Sequence, residues 1–320
     1  MKNKITVLVL LILSVSMFFT YQCRKDEIQP SATQNEEEIQ AGGGEIIGGK
    51  YIVILKGDAF PDYKNITDYG QRNAKISGEV NFFFKKNNLP EVIAERVYHT
   101  AIKGFAAKLN SSQLEILKRV PDVSFIEEDK IISLGPSPGS NPVPQPAQII
   151  PYGITRVGWV ATIDGSGKVA WIIDRGIDLT HPDLNVDVSR SISFLLSGKN
   201  YKSPNDENGH GTHVSGTLAA KNNTIGVVGV AANAWVVAVR VLNQSGFGTL
   251  SGVINGVDYV ATRGKAGDVA NMSLGGSISS SLDNAVYNAS QKGIFFALAA
   301  GNSSANANNY SPARVNRTVK

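Results

Sequence analysis

The sequence predicts an α/β fold with a mainly parallel sheet, preceded by a small α+β domain. After residue 168, apolar segments of strand length alternate with amphipathic segments of helical period. These apolar segments are uninterrupted, which is typical of a parallel sheet that helices cover on both faces. From residue 50 to about residue 128 the pattern is alternating and amphipathic instead, which indicates a separate domain.

Hydrophobic period and capping residues define the individual elements. In the larger domain we predict, in chain order, strand 169–173, helix 211–221, strand 235–241, helix 249–263, strand 269–273, helix 282–292 and strand 294–299. In the smaller domain we predict strand 51–56, helix 70–88, a strand-rich segment 97–109, helix 111–120 and strand 123–128. Ser111 is the predicted N-cap of the helix at 111–120, because a serine side chain can accept from a first-turn amide.

A linker separates the two predicted domains. Residues 135–146 read GPSPGSNPVPQP, a composition that cannot hold a helix or a central strand. Five segments are therefore predicted: a signal peptide at 1–22, a polar tether at 23–48, the small domain at 49–134, the linker at 135–146 and the large domain at 147–320.

Composition excludes several classes of protein. With 42% hydrophobic and 18% charged residues among 320, the chain can bury a core and is not disordered as a whole. The net charge of +4 is spread over the chain without a block of Lys and Arg, so nucleic acid is not the expected partner. The single cysteine excludes an intramolecular disulfide and a zinc or iron–sulfur site built from cysteines.

The N-terminal segment is typical of an export signal. A charged start is followed by an apolar run at 5–19 that is too short to span a membrane comfortably. Cys23 then stands where a lipoprotein signal has its acylated residue, ahead of a polar stretch. Gln22 and Thr20 depart from the usual lipobox, so simple secretion and an uncleaved anchor remain alternatives to a lipid anchor on Cys23.

Polar residues that could take part in catalysis or binding follow the predicted strands. Asp174 ends the first strand of the larger domain and Asn302 follows the last, at the strand ends where sites assemble in α/β sheets. His210 and His213 lie between them in HGTHVSGT. The alternatives are an Asp that only caps a turn, and a zinc site on the two histidines. Zinc is disfavoured, because the segment lacks the Glu of H-E-x-x-H and neither His99 nor His181 is an obvious third ligand.

Taken in order, the segments D-R-G, H-G-T-H-V-S-G-T, N-M-S-L-G-G and A-A-G-N resemble the subtilisin family of serine proteases, from about residue 50 to the end of the chain. The resemblance implies a subtilisin-like three-layer domain without an organic cofactor. It implies that Asp174 is the triad carboxylate, His210 the general base and Asn302 an oxyanion donor. A buried Asp fixes the imidazole tautomer, and a rigid amide stabilises the charge of the tetrahedral intermediate.

Arg175 departs from the family, which usually has Thr or Ser there. A cation beside Asp174 could lower the pKa of that carboxyl and compete with His210 for it. An Arg that points to solvent would do neither, and we expect that orientation.

A second departure is that no segment matches the family's nucleophile motif, G-T-S-M-A. In the family this serine follows the oxyanion Asn by roughly sixty residues, whereas Lys320 is the last residue here. We therefore expect the sequence to be a fragment of a longer exported protease. The alternative is a catalytically inactive binding or inhibitory protein, and a metal-dependent hydrolase using His210 and His213 is a third, disfavoured hypothesis.

The resemblance also implies a substrate site for polypeptides, which bind as an added strand. Gly246 and Gly248 match one edge of that site, and Ser273, Leu274 and Gly275 match the other. The pocket for the fourth residue before the cut is expected to be apolar and lined by Leu250, Val253 and Leu274. The pocket beside the cut is expected to be lined by Ser273 to Gly275, by Ala299 to Asn302, which include Ala300 and Gly301, and by Tyr310.

A structural calcium site is implied by resemblance as well. The expected ligands are side-chain oxygens and main-chain carbonyls, a donor set that suits Ca²⁺. They are Gln148, Asp183, Lys221, Asn223, Ile225 and Val227. A plain polar loop is the alternative.

The small domain resembles the inhibitor I9-type propeptide of the same family. That resemblance implies that it templates folding of the large domain, lays its C-terminal tail in the cleft and is then removed. A folding template is physically reasonable, because parallel sheets depend on long-range contacts and fold slowly. We expect a cut after Leu134 followed by trimming, because Pro146 is a poor residue to cut after.

Overall fold

The computed structural model of this protein describes residues 44–134 and 146–316. The predicted signal peptide, nearly all of the tether with Cys23, most of the predicted linker and residues 317–320 lie outside the described residues. Within the described residues, no helix is long and apolar enough to cross a membrane.

The secondary structure follows the alternation that the sequence predicts. The first described segment contains, in order, β1 (Ile46–Leu55), α1 (Tyr69–Lys86), β2 (Ala94–Tyr98), β3 (Gly104–Lys108), α2 (Ser111–Leu117) and β4 (Val123–Ser133). The second contains α3 (Tyr152–Arg156), β5 (Val169–Asp174), β6 (Asn185–Val186), β7 (Ile192–Ser193), α4 (His210–Ala219), β8 (Trp235–Arg240), β9 (Phe247–Thr249), α5 (Leu250–Arg263), β10 (Val269–Met272), β11 (Gly276–Ser277), α6 (Ser280–Ser290), β12 (Phe295–Leu298), a short 3-10 helix (Ala307–Asn309) and β13 (Tyr310–Ser311).

The larger sheet is parallel and has the strand order β12-β10-β5-β8-β6, with β7 also pairing with β8. Alternate residues of its strands point to opposite faces. Trp171 and Ile173 on one face join the core that contains residues of α5 and α6, and Ala170 and Ile172 on the other join the core with Ala219 of α4. This is a three-layer α/β arrangement, which confirms the predicted fold class.

The smaller sheet is antiparallel, with the order β2-β3-β1-β4-β9, so its fifth strand comes from the larger region. One face of this sheet, with Val53 and Phe105, packs on α1 and α2. The other face, with Ile52, Tyr98 and Ala106, belongs to the same core as α5 and α6. Residues 46–134 therefore close one core by themselves and share a second with the parallel-sheet region.

One capping prediction is wrong, and a short strand was missed. Asn110, not Ser111, is the N-cap of α2, because its side chain accepts from the Gln113 amide while the Gln113 side chain accepts from the Asn110 amide. This reciprocal pair satisfies two amides that the helix leaves without partners. The short strand β9 was not predicted, since its three residues are too few for a periodic pattern.

Candidate active site

The structure brings Asp174 and His210 into direct contact. Asp174 is the last residue of β5 and is fully buried, and His210 is the first residue of α4. The Nδ1 atom of His210 lies 2.9 Å from both carboxylate oxygens of Asp174. This contact leaves Nε2 as the ring nitrogen available to other groups. It is the geometry in which a carboxylate fixes the orientation of an imidazole.

The start of α4 holds His210 in place. Gly209, just before the helix, has a φ of 103°, a left-handed conformation that favours glycine. The Asp206 carboxylate accepts from the amides of Asn208, Gly209 and Thr212, which satisfies donors at the start of the helix. The histidine is therefore presented from a rigid helix end rather than from a loop.

The prediction that Arg175 points to solvent is wrong. Its side chain is buried, with 1% of its surface exposed. The guanidinium lies against Gly246, because a Cβ atom built on that glycine would overlap Nη2 and lie 2.7 Å from Cζ. Burial lowers the pKa of the Arg175 guanidinium, and the nearby charges of Asp174 and Asp206 act in the opposite direction.

The other predicted strand ends lie at the same edge of the sheet as Asp174. Strands β10 and β12 follow β5 in the sheet, so Ser273, Leu274 and Gly275 after β10 and Ala300, Gly301 and Asn302 after β12 all emerge at the carboxyl edge. Asn302 is exposed. Its expected role as an oxyanion donor stays a prediction.

Tyr310 joins this edge through a short antiparallel ribbon. Tyr310 pairs with Ser277, and Ser311 pairs with Gly276. The Ser311 hydroxyl accepts from the amide of Ser279. These contacts hold the segment after β12 against the segment after β10. The predicted pocket beside the cut would need both segments in this arrangement.

The tail of the first region occupies the expected peptide edge. In the ladder between β4 and β9, Ile132 pairs with Gly248 and Ser133 with Phe247. The amide of Leu134 continues the ladder by donating to the Gly246 carbonyl at 2.9 Å. Gly246 and Gly248 thus bind an extended segment as an added strand, which is the mode expected for a substrate.

The residues predicted to line an apolar pocket are buried nearby. Leu250 and Val253 on α5 and Leu274 after β10 are at most 2% exposed and belong to the core that also contains Ile132. The Ile132 Cδ1 atom would lie 2.7 Å from a Cβ atom built on Gly276, so its side chain lies between β9 and the segment after β10.

Strand β4 also contacts the starts of two helices of the larger region. Asp129 accepts from the amide and hydroxyl of Ser251 in the first turn of α5, and Glu127 accepts from the Ser281 amide and the Ser279 hydroxyl at the start of α6. Carboxylates at these positions satisfy first-turn amides and interact favourably with the helix dipole.

A buried carboxylate of the larger region makes the reverse contact. Asp258 on α5 is fully buried and accepts from the amides of Thr100 and Ala101 at 2.7 Å and of His99 at 3.3 Å. The His99 side chain is 1% exposed, and its Nε2 atom makes no hydrogen bond to any described residue. Sequence analysis missed Asp258; the one signal for it was an acidic residue within an otherwise apolar helix.

The predicted calcium ligands lie in one place. The Gln148 amide nitrogen donates to the Lys221 carbonyl, the Asn223 amide nitrogen to Asp183 Oδ1, and the Val227 amide to Asp183 Oδ2. Ile225 belongs to the same loop, and its amide donates to the Asn223 side chain. Asp183 and the Lys221 carbonyl present oxygen atoms here, whereas the Gln148 and Asn223 side chains present their nitrogens. Turning these two side-chain amides over would bring their oxygens to the same place, and oxygen is the ligand type that suits Ca²⁺.

The two histidines considered for zinc are arranged differently. His213 is exposed one turn along α4 from His210. Among the described residues, no three His, Cys, Asp or Glu side chains are grouped so that they alone could hold a metal ion such as zinc.

Comparisons with known proteins agree with the family resemblance. A family model described as Subtilase family matches residues 165–319, and one described as Peptidase inhibitor I9 matches residues 50–135. Alkaline serine exoprotease A of Vibrio alginolyticus is 38% identical over 283 residues, which are 84% of this chain and 49% of that protein. Alkaline serine protease ver112 of Corniculantispora psalliotae is 35% identical over 289 residues, 86% of this chain and 65% of that protein.

The chain is also similar to a crystal structure of a cold-adapted subtilisin-like serine proteinase, with 45% sequence identity and a TM-score of 0.42. The match covers 49% of this chain and 55% of the proteinase chain. The chain spans about half to two thirds of the length of the curated relatives named above. The chain belongs to the subtilase family, peptidase family S8, and carries a peptidase inhibitor I9 region ahead of its subtilase region.

Proposed function

We propose that the complete protein is an exported serine endopeptidase that cuts polypeptides through an acyl-enzyme. The observation that carries this proposal is the contact between buried Asp174 and His210 at the carboxyl edge of the sheet. A peptide edge at Gly246 and Gly248 lies next to it, and an extended segment already pairs with that edge.

The proposed roles follow from this geometry. Asp174 holds the imidazole in the tautomer that leaves Nε2 free to take a proton, and it stabilises the imidazolium that forms. The nucleophile is a serine in a segment C-terminal to Lys320, and Nε2 of His210 removes its proton. Asn302 donates to the oxyanion of the tetrahedral intermediate, a charge that develops only during the reaction.

The proposed substrate is an extended polypeptide with apolar side chains. Leu250, Val253 and Leu274 give an apolar pocket for the fourth residue before the cut. Ser273, Gly275, Ala300, Gly301 and Tyr310 border the pocket beside the cut, and none of them carries a charge. The first pocket is expected to prefer apolar side chains, and the pocket beside the cut is expected to have a broad preference for apolar or aromatic residues.

The test is hydrolysis of apolar fluorogenic peptides by the complete gene product. We expect kcat to fall by about 10⁴ in Asp174→Asn and by about 10²–10³ in Asn302→Ala; both magnitudes come from serine proteases, the second from subtilisin itself. His213→Ala is the matched control, because His213 is the exposed second histidine of the same helix. Full activity of Asp174→Asn would refute the proposal.

The first region is proposed to be an inhibitory propeptide and a folding template. Its tail fills the peptide edge, and its carboxylates Glu127 and Asp129 contact the starts of α6 and α5. The proposed processing site follows Leu134, the last described residue of the tail. N-terminal sequencing of the mature enzyme and mass measurement of the released propeptide test that position.

A structural calcium ion is proposed for the loop around Asp183. Gln148, Asp183, Asn223 and the carbonyls of Lys221, Ile225 and Val227 would hold it, and it would add stability rather than reactivity. A calcium titration of the melting temperature should show a rise that is lost in Asp183→Asn. Asp164→Asn, at an exposed turn, should leave the calcium effect unchanged.

Export by the N-terminal segment, with lipid attachment at Cys23, completes the proposal. Metabolic labelling with a lipid precursor should mark the wild type and not Cys23→Ser. Equal absence of label from both proteins supports simple secretion instead. A non-catalytic inhibitory protein is the second candidate function, and the docked tail favours it if the complete gene product contains no serine motif.

A further inference from the structure

Arg175 is a buried cation that the proposed reaction does not use. It directly follows Asp174, and its own amide donates to Asp174 Oδ1 at 2.6 Å. The charges of Asp174 and Asp206 act on its guanidinium, and both carboxylates bind at the start of α4: Asp174 contacts the His210 imidazole, and Asp206 accepts from the amide of Gly209. The charges of both groups that orient His210 therefore act on the guanidinium.

The same guanidinium supports the peptide edge. Gly246 has a φ of 87°, and a Cβ atom built there would overlap Nη2 and crowd Cζ and Nε of Arg175. The guanidinium therefore covers the Cα atom of Gly246. The carbonyl of Gly246 accepts from Leu134, and its amide donates to the Asn243 carbonyl. Gly246, which accepts a hydrogen bond from the extended segment, thus packs against Arg175.

We propose that Arg175 is a positioning residue, whose buried guanidinium holds the Gly246 carbonyl where an extended peptide donates to it and ties that edge to the Asp174–His210 pair. The inference rests on the proposed function in taking the β9 edge as the peptide site. It deepens that function, because it assigns peptide binding to a residue at which the chain departs from its family.

The chemistry of the side chain favours this role. A guanidinium is planar and keeps its charge, so it can lie flat against a glycine while the charges of Asp174 and Asp206 favour its protonated form. An ammonium group in Arg175→Lys keeps the charge but lacks the plane. A threonine or serine would be too short to reach Gly246 in the same way.

The first test is hydrogen exchange of the Leu134 amide in the 320-residue chain, which requires no hydrolysis. In Arg175→Ala we expect protection of this amide to fall by about tenfold, the equivalent of one hydrogen bond, with partial recovery in Arg175→Lys. Amides of β10 serve as references. Unchanged protection at Leu134, or an equal fall at Leu134 and in β10, overturns the proposal.

A double-mutant cycle tests the contact itself. Gly246→Ala should reduce Leu134 protection more in the wild-type background than in Arg175→Ala, because the overlap with the guanidinium is then absent. Gly248→Ala is the matched control: a Cβ atom there would meet the Val241 carbonyl and Leu242, not Arg175. Its effect should be the same in both backgrounds. Additive effects of Gly246→Ala and Arg175→Ala contradict the contact.

The third test uses the complete gene product. If Arg175 positions the peptide edge, Arg175→Ala raises KM by about tenfold and changes kcat little, because the lost binding is common to substrate and transition state. A fall in kcat at constant KM would overturn the positioning role and assign Arg175 to support of Asp174 alone. If the wild-type gene product does not hydrolyse peptides, the proposed function is contradicted. The exchange tests would still decide whether Arg175 positions the Gly246 edge.

Discussion

The two faces of the antiparallel sheet in the first region differ in what they pack against. The face with Val53 and Phe105 covers α1 and α2 with apolar and aromatic side chains, and Phe84 contacts Phe105 edge to face at 4.8 Å. The face with Ile52 and Tyr98 packs against α5 and α6 of the subtilase region. The first face completes a domain, and the second joins two.

The difference lies in the buried polar groups. The contact with the subtilase region contains Arg96, which donates to the Phe194 carbonyl, Asp129, which binds the start of α5, and Asp258, which binds a turn of the first region. Such groups fix geometry but recover their hydration when the surfaces part, so they cost less to separate than apolar contacts. We therefore expect the first side of the sheet to be a permanent core and the second to be a releasable interface.

The largest expected effect comes from breaking the permanent face. Phe105→Ala removes a fully buried ring and should lower the free energy of unfolding by about 3–5 kcal/mol in a denaturant titration. Phe82→Ala is the control on α1, because that ring is 66% exposed and should cost little. Equal effects of the two substitutions would contradict the assignment of this face as the core of the first region.

The next effect comes from Asp258 on the releasable face. Asp258→Ala leaves the amides of His99, Thr100 and Ala101 without their acceptor and should weaken docking by about 2–3 kcal/mol. Exchange of the Thr100 and Ala101 amides measures this directly. The core of the first region should keep its protection, as reported by amides of β3. If those amides lose protection equally, the two faces are not separable.

A smaller effect is expected from pH at His99. Burial lowers the pKa of His99 from its usual value near 6.5, an effect that Asp258 and Asp62 oppose and Arg72 reinforces. The docked state therefore binds fewer protons than the separated one just below pH 6.5. Docking should weaken as pH falls from about 6.5, by no more than about 1.4 kcal/mol per unit, and stay constant above it.

The control for this pH effect is His99→Gln, which cannot titrate. In His99→Gln, protection of the Thr100 amide should not fall between pH 7 and pH 5 as it does in the wild type. Burial also raises the pKa of Asp129, but that group acts with the opposite sign, since a raised pKa makes docking more favourable as the carboxyl becomes protonated. A pH dependence that His99→Gln retains would assign the effect to another group.

The smallest expected effect is at Glu127. Glu127→Ala removes the acceptor for the Ser281 amide at the start of α6 and should cost about 1 kcal/mol. Glu128→Ala is the neighbouring control, because Glu128 is exposed. A melting temperature that falls equally in both variants would show that the contact with α6 contributes nothing specific.

The long elements were predicted well, and so was the contact between Asp174 and His210. The apolar run ending at Asp174 and the helix after His210 have strong periodicity, and both appear within a few residues of the predicted bounds. Their contact was predicted from the family resemblance, since neither residue alone indicates the other.

The misses share a physical cause, which is dependence on distant neighbours. Arg175 is buried because Gly246 leaves room for its guanidinium, and residues about seventy positions apart carry no local sign of that fit. Strand β9 forms because β4 offers it a partner. Asp258 is buried because a turn of the first region supplies three amides.

The most direct test of the account is the rate of peptide hydrolysis by the complete gene product before and after residues up to 134 are separated from it. If the docked first region inhibits the Asp174–His210 site, we expect little hydrolysis while it is bound and full activity after its removal. The same preparation of Asp174→Asn should stay inactive. Equal hydrolysis with and without the first region, or activity that survives Asp174→Asn, would contradict the account.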